Sequence, residues 1–522
     1  MYYARIFSYL KSVDPFPGGR RSLFSWSILL CWIGCVIVVS MYHELWRDEV
    51  RALSVALTPE SLWGLPAALK NEGHPLLWYL ILRLGYWFFQ TPLILKIASI
   101  SIASASALLF FRFSPFPVWL KLLFLGTILP AYEYSVMCRN YGISMLLLFA
   151  FAALYSRRNE KVLLLALILV ALAHTNVHST ICVCFLAGYW FYEDLVLGCS
   201  QRSRRDNLAL FSSIILVVIG VVSAIIVVLP DENSIVLESK AITIQKILEE
   251  CWLAIQHPGA KYETIFIGVP LLLRDILIWF FFLGLFIRPC VAIMFLAGST
   301  ALSLFFSIGY SGSLRHQGIL FIFLVTIYWI VFLHHSAKKS VVLSVIHKSV
   351  VFVVLPLVFI AQIGLSYKKI SRDLTQEMSS SSAFGEFITA NKDFDKAIII
   401  GEPDIRLESL PYYVDNEIYL PRERRFSKYV KLTRDNKQEL SMGELLAVAQ
   451  SLHVSENKPI LIALGHFGLT DQNDPPFTRT EQHNKTFSWT KGELEAFLSA
   501  TENVAQFKKD VENERYEVYR LK

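Results

Sequence analysis

Two adjacent carboxylates, Asp48 and Glu49, stand just beyond an apolar run, between Arg47 and Arg51, with His74 later in the same polar stretch. A carboxylate so placed can take a proton from a hydroxyl or amine as a general base. Partial desolvation at a membrane boundary is expected to raise its pKa, which suits that work. Neighbouring residues on a helix point about 100° apart, so both carboxylates are not expected to reach one reacting atom. One would then act as base while the other binds or orients. The plainer alternative is surface pairing, since Asp48 lies three residues before Arg51, a spacing that makes weak helix-face ion pairs.

Four further groups could serve the same chemistry. In Asn71-Glu72-Gly73-His74-Pro75 the proline can open a helix and leave His74 near its cap, facing the loop; a histidine in that position can equally be structural. Tyr132-Glu133-Tyr134 and Cys138-Arg139-Asn140-Tyr141 put charges at the ends of spans, where they are costly and point to function, although Arg139 could simply snorkel to the interface. His174-Thr175-Asn176-Val177-His178-Ser179 has two histidines four apart, a weak metal signal without a third ligand; polar packing or substrate hydrogen bonding explains it as well. Tyr310–Gln317 ends in Arg315-His316, a guanidinium and an imidazole that suit a phosphate, or else ordinary charges of an outer loop.

The chain that must position these groups has 522 residues, 54% hydrophobic and 18% charged. Soluble proteins carry roughly 25% charged residues, so a polytopic membrane protein is expected. The net charge of +6 resides partly in clusters between apolar runs. It therefore reads as an orientation signal, not as nucleic-acid binding. Most of the eight cysteines fall in apolar runs, with no metal-ligand spacing. Residues 1–22 form a basic cytoplasmic leader. Residues 23–367 form a membrane region of eleven to thirteen helices, with the polar loop 43–75 on the outer face. Within that loop Trp46, Val50, Leu53 and Leu57 recur at helical spacing, as in an interfacial helix. Further spans are expected at 93–111, 117–136, 141–155, 162–174, 179–198, 208–229, 269–287, 290–309, 318–333 and 349–366. Segment 76–89 is short or broken, and 230–268 is an outer loop. From 368 to 522 helical stretches (383–391, 442–452, 491–500) alternate with β-rich runs (397–400, 418–420, 459–464, 515–521), which reads as a soluble α/β domain. Loop parity puts that domain outside, although Lys368, Lys369 and Arg372 argue mildly against it.

Trp46-Arg47-Asp48-Glu49 with Ala52 and Ala56, then His74-Pro75-Leu76-Leu77-Trp78-Tyr79, resembles the opening of the C-type (GT-C) membrane glycosyltransferases. Protein O-mannosyltransferases and lipid A aminoarabinose transferases have this order, and Arg139-Asn140-Tyr141 is similar to their Arg-x-Tyr step. Leu76 stands where many of them have a second proline. The resemblance covers about residues 25–340 and implies a sugar donor carried on a polyprenyl phosphate. It implies Asp48 as the inverting base, with Glu49 binding the acceptor or orienting Asp48. His74, Glu133, Arg139, Tyr141 and His178 would bind acceptor or donor, and Arg315 and His316 the lipid phosphate. Some members use a divalent metal; this sequence offers no ligand set for one. The acceptor would be a glycan, lipid or protein, and the site a bacterial inner membrane. A transporter or flippase for a lipid-linked saccharide, or a glycan ligase, is the alternative. Internal repeats and Gly/Pro-broken spans at matching positions, expected of a transporter, are absent from the sequence.

Overall fold

The computed structural model describes residues 19–197, 204–235, 243–333, 340–465, 467, 469, 477–480, 485–508 and 514–522. Long apolar runs become helices because a backbone away from water must satisfy its own hydrogen bonds. In chain order these are α1 (Gly19–Tyr42), α2 (Arg47–Leu57), α3 (Leu77–Phe89), α4 (Ile94–Phe113), α5 (Val118–Leu125), α6 (Tyr141–Tyr155), α7 (Val162–Ala173) and α8 (Val177–Tyr192). Then come α9 (Arg204–Val228), α10 (Ile244–Gln256), α11 (Leu271–Leu285), α12 (Pro289–Ile308), α13 (Leu314–Leu333), α14 (Val341–Ser349) and α15 (Leu355–Thr375).

Among the described residues, five stretches are long and apolar enough to cross a membrane: Ile94–Phe113, Asp206–Val228, Pro289–Ile308, Leu314–Leu333 and Val341–Thr375. A sixth follows if Trp26–Tyr42 is joined to Arg47–Leu57, across a bend of 87°. α13 is buried along most of its length, whereas α9 turns Leu208, Phe211, Ile215 and Ile219 outward. So large an exposed apolar face suits lipid and not water. The expected span 117–136 is broken. α5 stops at Leu125, Gly126 and Thr127 follow, and a wide turn runs from Leu129 to Glu133. Pro130 has no N–H for a regular helix there. α3 has thirteen residues, about 20 Å at 1.5 Å per residue, short of a roughly 30 Å hydrocarbon layer.

Beyond α15, α16 (Ser381–Ala390), α17 (Met442–Glu456) and α18 (Lys491–Ala500) accompany two sheets. The larger contains β1 (Ile398–Glu402), β2 (Ile418–Leu420), β3 (Arg425–Phe426), β5 (Ile460–Leu464), β8 (Thr501–Phe507) and β9 (Tyr516–Leu521), in the order β3-β2-β1-β5-β9-β8. β1 runs parallel to β2 and β5, and its run of isoleucines is buried on both faces, as parallel strands require. The smaller sheet holds β4 (Glu439–Ser441), β6 (Phe477–Thr480) and β7 (Thr486–Trp489). Arg422 pins one sheet to the other, donating to both Glu402 oxygens and to the carbonyls of Lys437, Gln438 and Thr486.

This α/β region rests on α2. The 3₁₀ helix Asp404–Tyr412 packs against α2, Tyr413 Oη donates to the Leu45 carbonyl at 2.9 Å, and the Arg47 amide donates to Glu514 at 2.8 Å. Arg51 is the main tie, bonded to Glu72 at 2.6 and 2.9 Å and to Glu408. The α/β region therefore lies on the same side as the 43–75 loop. Burial pushes the Glu408 carboxyl up to about 7, against the pull of Arg51. Replacing Arg51 by Met leaves two acids facing each other without a cation. Loss of one partner from a buried pair costs about 3–5 kcal/mol, so Arg51→Met should clearly lower the thermal midpoint of the detergent-solubilised chain.

Candidate functional site

α1 ends at Tyr42, and the chain turns sharply into α2 over His43–Trp46. A buried ion network fixes the turn. His43 Nδ1 lies 3.0 and 3.2 Å from the Asp373 oxygens, and its Nε2 lies 3.1 and 3.3 Å from those of Glu49. Lys96 Nζ donates to the His43 carbonyl at 2.8 Å. Glu49 also accepts from the amides of Trp46 and Cys138. Its two oxygens are thereby committed to the turn.

Asp48 points the other way, with its side chain 37% exposed. Arg139 Nη1 donates to the Asp48 carbonyl and lies 3.6 Å from Oδ2, while Arg47 Nε is 3.7 Å from Oδ1. The expected upward pKa shift is reversed. Burial does raise it, but Arg139, Arg315, Arg47 and Arg51 outweigh burial and hold the Asp48 carboxyl below its ordinary value. Arg139 Nη2 also reaches His74 Nε2 at 3.4 Å, and Asn140 Nδ2 lies 3.5 Å from His74 Nδ1. Burial and the charge of Arg139 push His74 down to about 3, so its ring is neutral near pH 7.

On the same side, Arg315 stands over the Trp46 ring at 5.6 Å and 3.9 Å from Glu133. Its carbonyl accepts from Tyr134 Oη at 2.6 Å. The His316 ring is 5.2 Å from Tyr141, 5.3 Å from His178 and 5.0 Å from Tyr310. The Ser313 amide donates to His316 Nδ1 at 2.9 Å, so Nε2 carries that ring's hydrogen. Trp46 Nε1, Tyr141 Oη, Arg315 Nη1 and both ring nitrogens of His178 are buried without a hydrogen-bond partner, as is Glu133 Oε2. Each such group costs about 1–3 kcal/mol, so five neighbouring polar side chains left open in this way mark a place where a polar ligand would supply the bonds. Most of the open atoms are donors, which favours an oxyanion; Asp48 is an acceptor at their edge.

Of the nine residues given roles by the resemblance, eight thus surround one region and Glu49 lies behind it. Trp46 entered the reading as a point in a helical repeat and as the head of the Trp46-Arg47-Asp48-Glu49 run, not as a site residue. His43 and Asp373, 330 residues apart, carried no sequence signal, Asp373 being one acid among the charges after the last apolar run. His174 and His178 do not share a helix, because Asn176 caps α8 through its side chain and the Ser179 amide. His174 bonds Ser223 instead. Among the described residues no group of three or more His, Cys, Asp or Glu side chains could hold a metal ion. No family model matches the chain, and no curated protein matches it in sequence.

The network has a measurable consequence. Burial opposes the charge on His43, but Glu49 and Asp373 prevail and raise it from 6.5 to about 10. A raised histidine pKa adds stability that is complete below the unfolded value and is lost as pH rises through the folded one. The thermal midpoint should therefore fall between pH 7 and 10.5. In Asp373→Asn the fall should come at lower pH, by roughly 1 unit or more.

Proposed function

We propose that the chain is a glycosyltransferase of the bacterial cytoplasmic membrane that moves a sugar from a polyprenyl-phosphate donor to an acceptor on the outer face. The observation that carries this reading is the set of buried hydrogen-bond donors left without partners at Trp46, Tyr141, His178 and Arg315, in the neighbourhood of Asp48. Eleven to thirteen membrane segments, several of them short or broken, would surround it. The GT-C resemblance of residues 46–79 and 139–141 supports the same reading.

The donor phosphate would lie against Arg315 and His316, with Arg139 nearby. Asp48 takes a proton from the acceptor O–H or N–H as that atom attacks the anomeric carbon. The carbon–oxygen bond to phosphate breaks on the opposite side, with inversion, and polyprenyl phosphate departs with the bonding electrons. A leaving group that departs as an anion gains from fixed cations where a general acid would be superfluous. Asp48 is a weak base in the resting site, yet it is ionised at neutral pH, and the hydroxyl becomes acidic only as its new bond forms. Glu49 holds α2 in place, and neutral His74 can accept from or donate to the acceptor. No step is assigned to a metal.

Turnover of radiolabelled polyprenyl-phosphate sugars by the full chain in lipid tests this directly. Base catalysis contributes about 10²–10⁴ in rate, so Asp48→Asn should lose about that factor in kcat while still binding donor. Arg315→Met should raise the KM for donor. Equal consumption of donor by wild type and Asp48→Asn would remove the base assignment; binding of donor with no consumption by either would favour transport.

A further inference from the structure

The stretch 230–268, read from the sequence as an outer loop, carries an apolar surface that water does not favour. α10 packs against α12 with Ala254 buried. Beside that face Ile244, Leu248, Trp252 and Ile255 form one stripe, 77%, 64%, 61% and 39% exposed. Next to the stripe runs a polar one, in which Gln245 donates to Glu249 at 2.8 Å. A helix with adjacent apolar and polar faces, both outside the protein, is suited to a membrane interface.

The segment after α10 descends into the bundle. Tyr262 Oη donates to the Ser299 carbonyl at 3.0 Å and accepts from Ser303 at 3.3 Å. Ser299 is nine residues before the end of α12, about 13 Å along its axis. That end is the one beside the candidate site, since Phe305 and Phe306 pack on His178. Ile265 and Phe266 line a small apolar void together with Leu320 and Leu324 of α13. Leu324 is again about 13 Å along the helix from Arg315. α11, which follows, has fifteen residues. At about 22 Å it is too short for the whole hydrocarbon layer but long enough if it starts at depth. Asp275 near its start is bonded by His257 Nδ1 at 2.9 Å and the Gly259 amide at 2.8 Å, as a carboxylate away from water must be.

We propose that α10 and residues 257–270 form a re-entrant element. α10 lies in the interface of the leaflet at the site end, its Ile244–Leu248–Trp252–Ile255 stripe against lipid acyl chains. The following segment dips between α11, α12 and α13 before α11 crosses the remainder. Irregular backbone is tolerated at that depth because protein surrounds it. The occupant of the stripe is lipid, since the chain that follows also exposes large apolar side chains, at Ile267 and, at the start of α11, at Leu272 and Leu273. The element is anchored beside the candidate site, where the Thr264 amide and hydroxyl donate to Gln317 Oε1 at 3.0 and 2.6 Å. The proposal depends on the membrane placement of the bundle and not on the transferase reading.

The test is photolabelling of the full chain in phosphatidylethanolamine/phosphatidylglycerol nanodiscs that contain a lipid with a diazirine in its acyl chain, followed by peptide mapping. Adducts are expected on Leu248 and Trp252 and not on Gln245 or Glu249, with the α9 peptide as the labelled reference. A labelled α9 peptide beside an unlabelled 244–256 peptide would overturn the proposal. So would equal labelling of the apolar and polar stripes.

Discussion

The corner between α1 and α2 depends on one buried imidazole held between two carboxylates. His43 joins Glu49, at the start of the helix that carries Asp48, to Asp373, near the end of the last long helix. Glu49 then reaches the Cys138 amide, and the next residue, Arg139, reaches back to Asp48. Both hydrogen bonds are donated by residues 138–139 to residues 48–49. Together they fix the position of the exposed carboxylate relative to the guanidinium beside it. With the bonds of Leu45 to Tyr413 and of Arg47 to Glu514, the network holds α2 at a bend of 87° from α1.

The electrostatics of the cleft follow from that placement. Asp48 faces four arginines, and His74 is kept neutral by burial and by one of them. A site in which cations and open donors outnumber acceptors is poised for a group more negative than water. The α/β region adds to this from above, because Arg51 is shared between Glu72 in the loop and Glu408 in that region. Movement of the α/β region would accordingly be felt at α2, one turn from Asp48.

Much of this was legible in the sequence because it is local. The apolar runs foretold α4, α6, α7 and α13 closely, and the isoleucine-rich runs near 398, 418 and 460 became β1, β2 and β5. The helical spacing of Trp46, Val50 and Leu53 marked α2. The breaks were harder: Pro130 inside 117–136 was masked by apolar neighbours on both sides. β3, β4 and β7 are only two to four residues long, too short for a periodicity to register. The site residues were found by type and by position at the ends of spans. Their environment was not, and so the direction of the Asp48 shift was misjudged: burial is local, whereas the arginines that overrule it come from three separate stretches of chain. His43 with Asp373 is a pair that only the folded chain reveals.

On the proposed reading the open donors around Arg315 bind the phosphate of a lipid-linked substrate. The most direct test is binding of polyprenyl phosphate without any sugar, measured by native mass spectrometry on the full chain. Wild type and Asp48→Asn should bind it comparably, and Arg315→Gln should bind it at least about tenfold more weakly. Equal binding by all three proteins would contradict the claim.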